Sequence, residues 1–460
     1  MCKKLIETTK AFGVKHVLKY VNSSPEENIP KILNWLEKHN KGRTMAHQVQ
    51  MIRESFENKD GNCHKLAMSL WTDLDDSVRL KLFENFVVNV NMIGGAKEQK
   101  FSAENDCNVP WAILMDPTSA CNLHCTGCWA SEYGNKLNLT LDELNDIIRQ
   151  GKAMGTYFYI FSGGEPTVRR DDIFRLCEMN PECAFLAFTN ATLIDEAFAD
   201  EMLRVKNFVP AISVEGFEEA TDSRRGKGTY AKVIRAMEIL KRKKLLFGIS
   251  LCYTSRNTEV IGSDEFIDTM IEYGAKFAWF FTYIPVGIDA ATELIATAQQ
   301  RRFMYDKIRA WRKTKAIFSM DFWNDGEFVG GCIAGGRKYL HINANGDIEP
   351  CAFIHYSDSN IREQTLLEAY KRPLFMAYRR NQPFNKNMLR PCPLLDNAGK
   401  LAEMVDSSGG HSTDLKDPED VHELCGKCFQ AAACWKPVAD ALWAESEHVK
   451  SEAAKRGEAV

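Results

Sequence analysis

No stretch of this 460-residue chain is apolar for the roughly 18 or more residues that a bilayer crossing requires. Its first residues, MCKKLIETTKAFG, lack the apolar core and small-residue cleavage site of a secretory signal. Together these absences predict a cytoplasmic protein without a transmembrane segment. Neither sign of charge dominates, since 58 Lys and Arg face 62 Asp and Glu for a net charge of −4. That balance removes the basic footprint expected of a nucleic-acid binder. The densest basic run, Lys241–Lys244, closes an amphipathic segment, where cations complement a helix C-terminus. Internal repeats and low-complexity tracts are absent.

Cysteine, by contrast, is plentiful: 15 residues, an odd number. A disulfide scaffold does not fit, because such frameworks belong to short exported proteins. Cys2, Cys63, Cys107, Cys177, Cys183 and Cys252 stand alone and read as small core residues. The other nine fall into two groups, and grouped thiols point to metal.

Cys121, Cys125 and Cys128 are spaced C-x-x-x-C-x-x-C, with Trp129 directly after. Such a loop can hold three irons of a four-iron cluster. A cubane with four protein thiolates is coordinatively closed, so three leave one iron free to bind something else. A zinc site completed by His124 or a distant residue is the alternative reading.

Residues 1–106 read as helical, with apolar residues three and four apart in NIPKILNWLEKHN, HKLAMSLWTDL and SVRLKLFENFVVNVNMIG. Thr72, Asp73 and Asp75 with Ser77 offer N-cap chemistry before the last of these, and Gly94-Gly95 is expected to end the pattern before a polar stretch. From Trp111 the texture alternates: WAILMD, YFYIFSGG, AFLAFTN, VPAISVEG, LFGISLCYT and KFAWFFTYIPVG read as strands separated by amphipathic helices. Six strand–helix steps imply right-handed crossovers and a parallel sheet. They fall short of the eight of a closed barrel, so an α/β partial (β/α)6 TIM-type barrel is expected over 107–318. Residues 319–460 form a separate Cys-rich domain, with a hairpin around Asn345-Gly346 and a final helix from about Ala431 to Lys455. In parallel sheets chemistry gathers at the C-terminal strand ends. The Cys loop, Ser162-Gly163-Gly164-Glu165-Pro166, Thr189-Asn190 and Ser213-Val214-Glu215-Gly216 all end successive predicted strands.

With these residues in place, the sequence resembles the radical S-adenosylmethionine (SAM) enzymes. The resemblance covers about residues 110–290. It implies that the 4Fe–4S cluster on Cys121, Cys125 and Cys128 chelates SAM through its open iron. One electron then splits SAM to methionine and a 5′-deoxyadenosyl radical, which abstracts a substrate hydrogen. It further implies SAM contacts from Gly163, Gly164 and Glu165, with the carboxylate complementing the methionyl ammonium. Asn190, Ser213, Glu215 and Arg225 take the next positions, although Glu215 stands where the family often has Asp. Arg224 shares the arginine-bearing loop with Arg225, and a SAM carboxylate would suit such a guanidinium.

The second group is similar to the SPASM extension and its shorter twitch version, which house auxiliary iron–sulfur clusters. Cys332 and Cys351 flank the hairpin, Cys425-x-x-Cys428 follows, and Cys392 and Cys434 remain as replacement ligands, a second partial site or structural residues. Val438 stands where the family carries a further Cys, so the six thiols imply one complete auxiliary cluster. A zinc ribbon is the alternative. The resemblance implies an oxidoreductase of maturase type that makes an oxidative or bond-forming change in a peptide or protein. The same chemistry on a lipid, cofactor or other small molecule is the second reading, and a non-catalytic iron–sulfur or zinc protein the third. The helical N-terminal region counts against a leader-peptide module and is compatible with capping the barrel, holding a partner or touching a membrane peripherally. An electron donor such as ferredoxin or flavodoxin is expected. Tyr283, His341 and His355 are polar candidates read as packing residues, and no catalytic acid, base or radical relay is assigned.

Overall fold

The computed structural model describes residues 17, 19–39, 50, 53–54, 56–446 and 449–450. Cys2 and the expected helix end at Lys455 lie outside them.

Six strands follow the predicted alternation and a seventh, not predicted, extends it: β1 (Ala112–Met115), β2 (Phe158–Phe161), β3 (Ala184–Thr189), β4 (Phe208–Ser213), β5 (Gly248–Tyr253), β6 (Phe277–Thr282) and the additional β7 (Phe318–Asp321). Each pairs in parallel with the next. Their near-continuous apolar runs suit strands covered on both faces. Two more strands come from the C-terminal part. β8 (Tyr339–Ile342) joins β1 in parallel, and β9 (Ile348–Glu349) returns antiparallel through the turn at Gly346. The sheet order is therefore β7-β6-β5-β4-β3-β2-β1-β8-β9. The partial barrel is as expected, but β7 straddles the 318/319 boundary, and β8 belongs to the same sheet as the core. β7 and β8 are not hydrogen-bonded to each other, yet the rings of Phe322 and Tyr339 meet at 5.8 Å. Aromatic side chains thus close the gap that backbone pairing leaves open.

Local chemistry explains the crossovers. Thr140 and Glu143 form a reciprocal capping box at the start of Leu141–Met154, and left-handed Gly155 ends it. Asp75 caps Asp76–Phe83 by accepting from the amides of Ser77 and Val78. The expected break at Gly94-Gly95 does not occur. A π-helical stretch, Glu84–Gly94, runs directly into the helix Gly95–Asn105. Gly94 packs against the carbonyl of Gly155, where a Cβ would meet backbone, so the glycine serves a close approach between elements. The last helix starts about ten residues earlier than expected, at Val421, and so carries Cys425 and Cys428 on its first turns. Of the lone cysteines, Cys107, Cys177 and Cys183 are buried as expected, whereas Cys63 is exposed and Cys252 half-buried.

Candidate active site

Cys121, Cys125 and Cys128 occupy the loop that leaves β1, and all three are half-buried free thiols. The loop is held from three neighbouring strand ends. The amides of Gly164 and Glu165, after β2, donate to the carbonyls of Thr118 and Ala120 at 3.0 and 2.8 Å. Gly163 has φ +103, and side chains at Gly163 or Gly164 would collide with those same carbonyl-bearing residues. Here glycine is required by backbone approach. After β3, the Asn190 side-chain amide donates to Asn122 Oδ1 at 2.9 Å, and Asn122 donates to Thr192 Oγ1 at 2.8 Å. After β4, the Thr126 amide donates to the Arg224 carbonyl at 2.9 Å, and Arg224 Nε returns a bond to the Thr126 carbonyl at 3.2 Å. Tyr283, beyond β6, lies against Gly127, a packing role as anticipated.

Two carboxylates at the rim are held by protein donors. Glu165 is buried and accepts from Thr167 N at 3.0 Å, Thr167 Oγ1 at 2.5 Å, Thr189 Oγ1 at 2.6 Å and Asn190 N at 2.7 Å. Both its oxygens are thus engaged by protein donors, and the side chain joins the ends of β2 and β3. Oε1 takes three of these bonds and Oε2 one. Burial nevertheless pushes the Glu165 carboxyl up. Glu215 is fully buried and faces both Arg224 Nη1, at 2.7 Å, and Arg225 Nε, at 2.8 Å. Two guanidiniums share one carboxylate, which leaves a surplus positive charge at the rim. Burial opposes the charge of Arg225, but Glu215 together with the other partners outweighs it and the net direction is up. Arg225 Nη1 lies 4.0 Å from Cys125 Sγ. Ser213, the last residue of β4, is half-buried on the same rim. Cys252, near the end of β5, completes the ring of groups around Arg224. Its isolation in sequence concealed it.

Between this loop and the C-terminal hairpin lies a buried polar network that the sequence did not reveal. His341 Nδ1 is 2.6 Å from Glu349 Oε2, and its Nε2 is 3.0 Å from Asp116 Oδ2 without hydrogen-bond alignment. Tyr133 donates to Glu349 at 2.8 Å, and Ser162 to Asp116 at 2.7 Å. Burial works against a charged imidazole, yet Asp116 and Glu349 raise the His341 pKa to about 10. His355 pairs with Asp414 at 2.5 Å and stacks on Tyr133 at 4.4 Å. Both histidines are thus hydrogen-bonding residues, and the network clamps β1 to the hairpin.

The second thiol group is assembled from distant segments. Cys332, Cys351 and Cys392 line one chamber, and Cys351, Cys425 and Cys428 are buried in a shared apolar cluster against which Cys332 and Cys392 pack. Tyr339 Oη is 2.6 Å from Cys351 Sγ. Burial pushes the Cys332 thiol up to about 11 and those of Cys351 and Cys428 up to about 12. Cys434 is not part of this group. It sits nine residues after Cys425 on the same helix, half a turn away around its axis, and is exposed. Among the described residues no three His, Cys, Asp or Glu side chains converge on a point suited to one metal ion. Unpaired thiols, a glycine-lined cradle and a surplus guanidinium together fit a cluster and a zwitterionic amino-acid ligand.

Comparison with known proteins agrees. Residues 115–251 match the Radical SAM superfamily, and residues 332–393 match SPASM, an iron–sulfur cluster-binding domain. AdoMet-dependent heme synthase of Methanosarcina barkeri is 22% identical over 374 residues, which cover 75% of this chain and 96% of that protein. A cysteine-type anaerobic sulfatase-maturating enzyme of Clostridium perfringens is 32% identical over 170 residues, 32% of this chain and 45% of its own length. The alignment therefore spans nearly all of the first relative and under half of the second. The crystal structure of Streptococcus suis SuiB bound to S-adenosylmethionine shares the fold, with a TM-score of 0.53 at 20% identity over 66% of this chain and 75% of that one. The chain thus carries a radical SAM domain over residues 115–251 and a SPASM-type iron–sulfur domain over residues 332–393, which imply a 4Fe–4S cluster, SAM and an auxiliary iron–sulfur cluster.

Proposed function

We propose that this protein cleaves SAM reductively and uses the resulting radical to abstract a hydrogen from a peptide or protein, in an oxidative or bond-forming modification. The observation that carries the radical chemistry is the tethering of one three-thiol loop by the ends of β2, β3 and β4. When bound, the cluster on Cys121, Cys125 and Cys128 supplies the electron that splits the SAM sulfonium. The work of the protein's own residues is positional. Gly163, Gly164 and Glu165 would receive the methionyl ammonium, and Arg225, oriented by Glu215, the carboxylate. Asn190 holds the loop through Asn122, and Glu165 holds Asn190. A low-potential carrier such as ferredoxin or flavodoxin donates the electron. The peptide reading is supported by the 32% identity to the sulfatase-maturating enzyme.

A second reading, the same chemistry on a non-peptide molecule, is favoured by a specific observation, the apolar chamber described below. Nearly full-length similarity to a heme synthase also supports it. The experiment for the radical chemistry is anaerobic reconstitution, reduction with dithionite, and quantification of methionine and 5′-deoxyadenosine. Both products are expected from the native protein and neither from the Cys121→Ala, Cys125→Ala, Cys128→Ala triple variant. Iron–sulfur absorbance without SAM cleavage would sink the proposal.

A further inference from the structure

The barrel encloses a chamber of about 960 Å³. Protein interiors contain few voids larger than a water molecule, and this volume is at the upper end of small-molecule sites. Three walls form it. The sheet contributes inward residues such as Ala184, Leu186 and Trp279, and the helical region before β1 contributes Leu66, Leu70 and Phe86. The segment after β8 contributes the third wall, with Cys332, Cys351 and Cys392, and an auxiliary cluster held there would share the chamber with any ligand.

The lining is almost wholly hydrocarbon and aromatic. Its charged members are largely engaged: Lys276 pairs with Asp73, Arg79 with Asp76 and Asp325 with Arg312. A peptide main chain would bring an N–H and a C=O per residue into this space, and those groups need partners when buried. An aliphatic tail needs none.

The mouth repeats the pattern. Phe86, Phe318, Phe328 and Val329 line the chamber yet are between 40% and 66% exposed. Four solvent-facing apolar side chains around one opening are unusual for a protein that keeps its hydrophobes inside. Lys338, exposed at the same strand-start rim, offers a cation for an anionic head group. At the inner end Phe353, on the chamber wall, meets Trp129 at 5.8 Å, and Trp129 follows Cys128 directly. The chamber therefore ends one ring from the candidate radical loop.

We propose that this chamber seats a long aliphatic tail with an anionic head group, a fatty acyl group, and that the radical acts on it. This rests on the second reading of the function. In the proposed step a C–H bond of the acyl tail breaks homolytically and the hydrogen atom forms the new C–H bond of 5′-deoxyadenosine. A carbon radical remains on the tail. The electron that cleaves SAM comes from a low-potential one-electron donor.

The test begins with binding in the absence of SAM, measured on the cluster-bearing protein with radiolabelled palmitate and shorter acids down to octanoate. Affinity is expected to fall about fourfold per methylene removed. Leu186→Trp, which fills the chamber, is expected to lower palmitate affinity more than tenfold, and Phe318→Asp, at the exposed mouth where folding is not at stake, to lower it several-fold. Equal affinity for octanoate and palmitate, or binding undisturbed by both variants, overturns the proposal. Perdeuterated palmitate with SAM and dithionite is expected to place deuterium in 5′-deoxyadenosine. Normal SAM cleavage without deuterium transfer overturns the assignment of the acyl group as substrate. Length-dependent binding with no SAM cleavage at all would instead defeat the radical reading, so the two failures are distinguishable.

Discussion

The two thiol groups solve opposite problems. Cys121, Cys125 and Cys128 fall within eight residues of one loop, half-buried and beside two guanidiniums that share a single carboxylate. Cys351, Cys425 and Cys428 sit in an apolar cluster against which Cys332 and Cys392 pack, the five drawn from nearly a hundred residues of sequence, and burial raises thiols of both groups, Cys121 and Cys332 alike to about 11. Only a bound cation reverses that shift. The first group keeps charge and access at hand, as binding of a zwitterionic cofactor requires. The second buries Cys351, Cys425 and Cys428 and leaves Cys332 and Cys392 half-buried on the chamber wall, and apolar surroundings suit a cluster that remains in place. Access distinguishes a reacting site from a resident one more clearly than ligand type does.

The largest expected effect comes from breaking the first group alone. The triple alanine variant of Cys121, Cys125 and Cys128 is expected to lose all SAM cleavage while its thermal unfolding stays near that of the native apoprotein, since the half-buried loop contributes little packing. Cys351→Ala is expected to do the reverse in part, removing auxiliary iron while some SAM cleavage persists. Iron content and 5′-deoxyadenosine yield, measured together, check both. Equal loss of SAM cleavage in both variants would erase the contrast.

Next in size is the clamp between the two regions. His341→Leu leaves Asp116 and Glu349 buried without their cation, and removing one partner of a buried pair costs about 3–5 kcal/mol. The same pair carries a pH signature. With the His341 pKa raised to about 10 from an ordinary 6.5, its stabilisation is fully present below pH 6.5. It is lost as pH rises through about 10. Denaturant unfolding of the native protein at pH 7 and pH 10 is expected to show that loss, and His341→Leu to flatten it.

Legibility in the sequence followed the range of the interactions. The strands were legible because parallel strands read as short apolar runs, and the rim because Gly163-Gly164, Asn190 and Glu215 each end one of them. The Cys loop was legible because its ligands are adjacent. What escaped depends on long-range contacts. The pairing of β8 with β1, the His341–Asp116–Glu349 clamp and the apolar chamber each join segments far apart in sequence. Glu165 was correctly placed but its partners were not, since a carboxylate's hydrogen bonds to Thr189 and Asn190 leave no local pattern. Gly94 and Gly95 misled because propensity assigns glycine to a break, while packing against Gly155 used it for contact.

A smaller effect sharpens the electrostatic half of the comparison. Arg225→Lys keeps the charge but gives up the planar fork that Glu215 orients. SAM affinity is expected to fall about tenfold, roughly 1.4 kcal/mol, with iron content unchanged. Equilibrium dialysis of SAM against the reconstituted protein measures it. An unchanged Kd would mean that the surplus cation serves the loop alone.

The smallest expected effect is the most discriminating for the second group. The sequence leaves Cys434 open as a replacement ligand, part of a second partial site or a structural residue, less than two helical turns after Cys428. Helical geometry separates them. From Cys425, Cys428 is three residues on and shares a face, whereas Cys434 is nine residues on and points the opposite way. Its exposure agrees. Cys434→Ser is therefore expected to leave iron content, auxiliary-cluster absorbance and unfolding temperature unchanged, while Cys428→Ser lowers the first two. Iron loss from Cys434→Ser would require the helix Val421–Ala444 to unwind past Cys428 when the auxiliary cluster is loaded, and the five-thiol group would then become six.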